Sequence, residues 1–109
     1  MGRFAPDHPL MKFRQAVEEA FGDDVERVVL FGSRARGDAR PDSDWDVAVF
    51  LKKDAGSWKT LRALSAIAVR VGDCDEEMFI QPVPLDAMRS DRSAELRRHI
   101  HEEGIELAA

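Results

Sequence analysis

The chain has 109 residues, 44% of them hydrophobic and 34% charged, which sizes it for one domain around a single core. With 21 acidic against 16 basic residues the formal net charge is −5, so strong duplex nucleic-acid binding, which rests on neutralising phosphates with Lys and Arg, is not expected. Cys74 is the lone cysteine, which rules out an internal disulfide and a cysteine-based zinc site; with no signal-like N-terminus and no apolar run near the ~20 residues that cross a bilayer, the expectation is a small cytoplasmic protein without membrane contact.

Residues 1–9, with Pro6 and Pro9, read as an irregular N-terminal arm, and residues 10–109 as one domain. Leu10, Phe13, Val17 and Phe21 keep helical spacing, and Gly22 is a natural stop. The valine-rich run 25–31 predicts a buried strand, and 46–51 a second. Ser57 is placed to cap a helix whose expected apolar face is Trp58, Leu61, Leu64, Ile67, Ala68 and Val71, closed by Gly72. Residues 78–85 read as a third strand, which Pro82 and Pro84 push toward the sheet edge or end early. A last helix over 93–103 turns Leu96 and Ile100 inward, with Gly104 just past its end and a short strand at 105–107. The order α-β-β-α-β-α predicts an α/β fold, a small mixed sheet flanked by helices.

Between the first two strands lies "GSRARGDARPDSDWD", too charged for a core element. Asp44 and Asp46 sit two apart at the head of the second strand, so alternation sends both carboxylates to one face, roughly 6–7 Å apart along the chain. Such a pair either solubilises a strand end or holds a cation, and all-oxygen ligands favour Mg²⁺ or Mn²⁺. Trp45 points the other way and is expected to pack. Gly32 and Ser33 directly follow the first strand; glycine admits close backbone approach, and a serine opening a short helix through Arg36 can help hold phosphate oxygens. Taken singly, a Gly-Ser turn or two loop arginines are more often plain surface.

As a set, Gly32, Ser33, Arg34, Arg36, Gly37, Ser43, Asp44 and Asp46 closely resemble the GS-x-D-x-D signature of the DNA polymerase beta-like nucleotidyltransferases. More narrowly, the chain looks like the minimal nucleotidyltransferases, with the resemblance running over about residues 10–107. The resemblance implies a nucleotidyltransferase fold and a nucleotide site formed by Gly32, Ser33, Arg34, Arg36 and Ser43. It also implies catalytic metal ligands Asp44 and Asp46, holding Mg²⁺ (or Mn²⁺) against the phosphates of ATP or another nucleoside triphosphate. The implied reaction moves a nucleoside monophosphate, AMP from ATP, onto an acceptor, and the implied partner is a helical HEPN-domain toxin for which this chain serves as antitoxin. A homo-oligomer is also open to so small a domain with an edge strand.

Active members of that family add a third carboxylate from the neighbouring strand. By comparison with the family, its position falls on Gln81, which carries no charge and cannot act as a base. Glu77 is the nearest acid to replace it, and a right-handed crossover through the 57–72 helix makes the second and third strands parallel, starting at the same edge near Asp44. Glu77 and Gln81 are about 13 Å apart along a strand, so they cannot occupy one place. The alternative is therefore a degenerate relative that binds nucleotide or a partner without catalysis. His99 and His101 flank inward Ile100 and are expected in solvent, Cys74 is expected to be passive, and Met78, Met88 and Trp58 read as core or interface.

Overall fold

The computed structural model describes residues 4–73, 78–87 and 94–107. The first helix, α1 (Pro9–Phe21), starts one residue before the predicted point because Pro9 suits a first turn that needs no N–H donor. His8 caps it: the Leu10 N–H donates to His8 Nδ1 at 3.1 Å. Leu10, Met11, Phe13 and Val17 are buried, and a single 3-10 turn over Gly22–Asp24 leads into the sheet.

Strand β1 (Val25–Phe31) runs into a one-turn helix, α2 (Ser33–Arg36), and the chain returns as β2 (Trp45–Leu51). A long helix, α3 (Trp58–Asp73), crosses to β3 (Ile80–Asp86), and α4 (Ala94–Glu103) leads to the two-residue β4 (Ile105–Glu106). The mixed α/β fold is the one expected. The sheet order is β3-β2-β1-β4, with β2 antiparallel to β1 and parallel to β3. Strand β3 is the edge strand, where Pro82 and Pro84 can lack N–H donors without breaking an interior ladder.

Alternation along the strands splits the core. Val28, Leu30, Val47, Val49 and Leu51 face α1 and α3 and form the main cluster with Phe13, Leu64, Ile67 and Val71. Val29, Ala48, Phe50 and Leu85 face the other way and pack on Ile100 of α4. The odd-numbered half of β1 and the even-numbered half of β2 therefore share the α4 face, and Asp46 belongs to that set.

Helix α3 departs from its expected face. Ser57 does cap it, its Oγ accepting from the Lys59 N–H at 3.1 Å, and Leu64, Ile67, Ala68 and Val71 are buried. Trp58 and Leu61, however, are 69% and 38% exposed, and Thr60 is buried in their stead. At about 100° per residue, steps of three lose about 60° each, so a face counted back from Leu64 through 61 to 58 rotates out of the core. Trp58 thus lies nearly opposite Thr60. Among the described residues no helix is long and apolar enough to cross a membrane.

Candidate active site

Gly32 is the hinge of the site. Its φ of +79° and ψ of −159° are essentially confined to glycine, and a Cβ built there would lie 2.6 Å from Asp46 Oδ2. The turn after β1 and the carboxylate of β2 are therefore in contact, which follows from the register: Phe31 pairs with Asp46 across the antiparallel ladder. Ser33 opens α2 as expected. Its carbonyl accepts from the N–H groups of Gly37 at 2.9 Å and Asp38 at 3.1 Å, and Gly37 closes the turn in the left-handed region.

Asp44 is exposed one residue before β2, while Asp46 is half-buried. Burial pushes the Asp46 carboxyl above the usual carboxylate range, the charge of Asp44 adds to the rise, and Arg36 opposes it. The two carboxylates thus feel one another, as an i, i+2 pair on one face should. Trp45 packs against the main cluster on the opposite side, as expected.

The arginines are not loose. Arg34 donates from Nη2 to the carbonyls of Ser43 at 3.0 Å and Pro41 at 3.1 Å, and its guanidinium stacks 4.5 Å from the Trp45 ring centre. Its guanidinium clamps the far end of the loop. Ser43 Oγ accepts from the Arg40 N–H at 2.9 Å, fixing the turn before Asp44. Arg36 binds Glu103 of α4 and Asp38, each at 3.2 Å, and these hydrogen bonds, Glu103 first, raise its pKa further.

The nucleotidyltransferase domain family matches residues 10–105, nearly the whole chain. The chain belongs to that family. A protein of Methanocaldococcus jannaschii named "putative protein adenylyltransferase" is 39% identical over 44 residues, which is 40% of this chain. The match spans only 44% of that relative's length. The crystal structure of a toxin–antitoxin with AMP-PNP aligns over 89% of this chain and 71% of its own, with a TM-score of 0.54 and 17% identity, a likeness of fold.

Within this nucleotidyltransferase domain, the position expected for the third carboxylate lies beside Asp46: Gln81 is its partner across the parallel β2–β3 ladder. Glu77 lies outside the described residues, as do Cys74 and Met88. Among the described residues no three of His, Cys, Asp and Glu come together as a metal-binding group. Two carboxylates at one strand head, an adjacent amide oxygen and a backbone turn that a Cβ would fill nevertheless fit one hard divalent ion shared with phosphate oxygens.

Two neighbours escaped the sequence reading. Glu103 anchors Arg36, a pairing across 67 positions that no local pattern reveals. Phe79 is 71% exposed, and its carbonyl accepts from the Trp45 N–H at 2.8 Å. Alternation sets it on the side of Gln81, next to Asp44. His99 and His101 are exposed on either side of buried Ile100, as expected.

Proposed function

We propose that this chain transfers AMP from ATP, with Mg²⁺ or Mn²⁺, to a hydroxyl of a protein acceptor, and that it acts as the antitoxin of a HEPN-domain toxin. The observation that carries the reading is the contact between Gly32 and Asp46, which puts the glycine turn after β1 against a carboxylate of the Asp44–Asp46 pair. Family membership, an adenylyltransferase relative and a toxin–antitoxin fold neighbour bound to an ATP analogue support it.

In this reading the N–H groups of Ser33 and Arg34 and the Ser33 hydroxyl hold the β- and γ-phosphates, while the N–H groups of Ala35 and Arg36 already donate to the Gly32 carbonyl at 3.0 Å. Asp44 and Asp46 hold the divalent ion, which supplies charge neutralisation at the phosphates. Arg34 keeps the 37–44 loop ordered, so little of that order has to be created on binding. The acceptor oxygen bonds to the α-phosphorus as the bond to the β-bridging oxygen breaks, and pyrophosphate leaves. The hydroxyl proton passes to a carboxylate, and among the described residues Asp46 is the one paired with position 81 across the ladder. The acceptor in this reading is a separate molecule, and residues 1–109 hold no tyrosine to receive the label.

A second reading, a nucleotide-binding relative without turnover, is favoured by one observation: an amide stands opposite Asp46 where the family's active members carry an acid. The two are separated by incubating the protein with α-labelled ATP, Mg²⁺ and a co-expressed partner. Label on the partner that disappears in Asp46→Asn supports transfer. ATP binding by calorimetry with no label on any partner supports the second reading and overturns the first.

A further inference from the structure

At the opposite end of the α4 face from Asp46 lies a cavity of about 240 Å³, bordered by Arg27, Phe50, Ala87, Arg97, Ile100 and His101, with Glu26 on its wall. Arg27 pairs with Phe50 across the β1–β2 ladder, so both project onto this face. Arg97, Ile100 and His101 are spaced i, i+3 and i+4 on α4; Ile100 is buried against the sheet, and Arg97 and exposed His101 border the cavity on either side of it. Phe50 lies four positions beyond Asp46 on β2, about 13 Å along the strand. The cavity therefore lies apart from the nucleotidyltransferase site.

Its chemistry is cationic in an otherwise acidic chain. The guanidinium carbons of Arg27 and Arg97 stand 5.0 and 5.8 Å from the centre of the same Phe50 ring. Two like charges gathered around one ring repel, and an anion between them relieves that repulsion. Arg27 spends one donor, Nε, on Glu106 at 3.1 Å, which leaves its other guanidinium N–H groups for a ligand. Arg97 Nε is buried with no hydrogen-bond acceptor among the described residues. A buried charged donor left unmatched is costly, and its usual explanation is a bound group or a catalytic role. His101 adds a ring N–H to the lining, and among the described residues Glu26 is the one acid on the wall.

We propose that this cavity is a second site, one that binds a small tetrahedral oxyanion of the phosphate class between Arg27 and Arg97. The volume sets the class. It is several times the ~30 Å³ share of one water, and below the roughly 300–1,000 Å³ of pockets that enclose a drug-sized ligand. A single phosphoryl group fits both the size and the fork of guanidinium donors, which bind phosphate bidentately. The anion is either free phosphate or the phosphoryl group of a nucleotide, whose base then rests outside the cavity. The site is independent of the transfer reaction proposed above.

The test follows the Nε–Hε resonance of Arg97 in ¹⁵N-labelled full-length protein, with EDTA present, while inorganic phosphate and AMP are titrated separately at constant ionic strength. The resonance is expected to move saturably, with half-saturation on the order of millimolar. Arg97→Gln and Arg27→Gln should each weaken phosphate binding by about tenfold or more, read from the neighbouring backbone amides. Ser33→Ala should leave it unchanged. Saturation by AMP at least as tight as by phosphate assigns the site to nucleotide phosphoryl groups, and saturation by phosphate alone assigns it to the free anion. The proposal is overturned if neither ligand moves the Arg97 signal, if sodium chloride moves it equally, or if binding survives Arg27→Gln and is lost in Ser33→Ala. Because Arg27 is 39% exposed, its substitution tests the site even if Arg97→Gln fails to fold.

Discussion

Replacing Gly32 with alanine should damage stability and the site together, for two separable reasons. The backbone at φ +79°, ψ −159° lies in a region that is nearly glycine-only, and a side chain there costs about 1–3 kcal/mol. The new Cβ would also meet Asp46 Oδ2 at 2.6 Å, so that carboxylate must rotate away, at about 0.5–1.5 kcal/mol for an off-rotamer side chain. Together these predict a loss of about 2–4 kcal/mol, or roughly 10 °C or more in melting temperature for a domain of this size. The assay is urea unfolding of the four proteins of a cycle: wild type, Gly32→Ala, Asp46→Ala and the double variant. Asp46→Ala removes the clashing oxygen but leaves the Cβ of residue 46, 3.6 Å from where the new methyl group would sit. The Gly32→Ala penalty should therefore fall by about 1 kcal/mol in the Asp46→Ala background. An equal penalty in both backgrounds would show that residue 32 and Asp46 are not in contact. A penalty under about 0.5 kcal/mol in wild type would refute the backbone assignment as well.

Asp46→Asn should abolish Mn²⁺ binding, measured by electron paramagnetic resonance, because one carboxylate cannot hold the ion alone. The same variant should melt higher than wild type without metal at pH 7. Burial and Asp44 raise the Asp46 pKa, so its contribution to stability is complete below the usual aspartate value of ~3.9 and is lost as pH rises through the raised one. The two proteins should accordingly converge at pH 3. Gln81→Asp places a carboxylate opposite Asp46 in the parallel register, and should raise both Mn²⁺ affinity and transfer, while lowering the metal-free melting temperature by like-charge repulsion. Arg34→Ala should cost about 1–2 kcal/mol and raise KM for the nucleotide more than it lowers kcat, with no rescue by lysine, which lacks the planar fork that spans Pro41, Ser43 and Trp45.

The sheet was legible because its strands are short, β-branched and interrupted by glycine and proline. Pro82 and Pro84 are compatible with an edge strand or an early end, and the strand lies at an edge and runs on through both to Asp86. The face of α3 was misjudged at its first turn because a bulky apolar residue such as Trp58 outweighed the angle at which it sits. In the site, local spacing revealed the glycine-serine turn and the aspartate pair, since one short loop carries both. What it left out came from across the fold: the Arg36–Glu103 ion pair, the exposure of Phe79, and the packing of the Arg27 and Arg97 side chains around Phe50. Partners that distant leave no periodic signal. The Arg34 guanidinium lies between these cases, because the family resemblance implied a nucleotide contact while the structure engages it with Ser43, Pro41 and Trp45.

The mixed sheet also sets an order of assembly. Phe31 and Asp46 are 15 positions apart and meet through one antiparallel pairing, whereas Asp46 and Gln81 are 35 apart and need the whole α3 crossover. Val29 and Glu106, at the far edge, are separated by 77. Loop-closure entropy makes near contacts form ahead of distant ones. Residues 25–51 should thus gather the Gly32 turn and both aspartates early in folding, with position 81 arriving late. A substitution at 81 should then alter unfolding more than folding, while one at Phe31 or Val47 slows folding itself. Chemistry at position 81 is free to drift without endangering the nucleus on which the rest of the chain condenses.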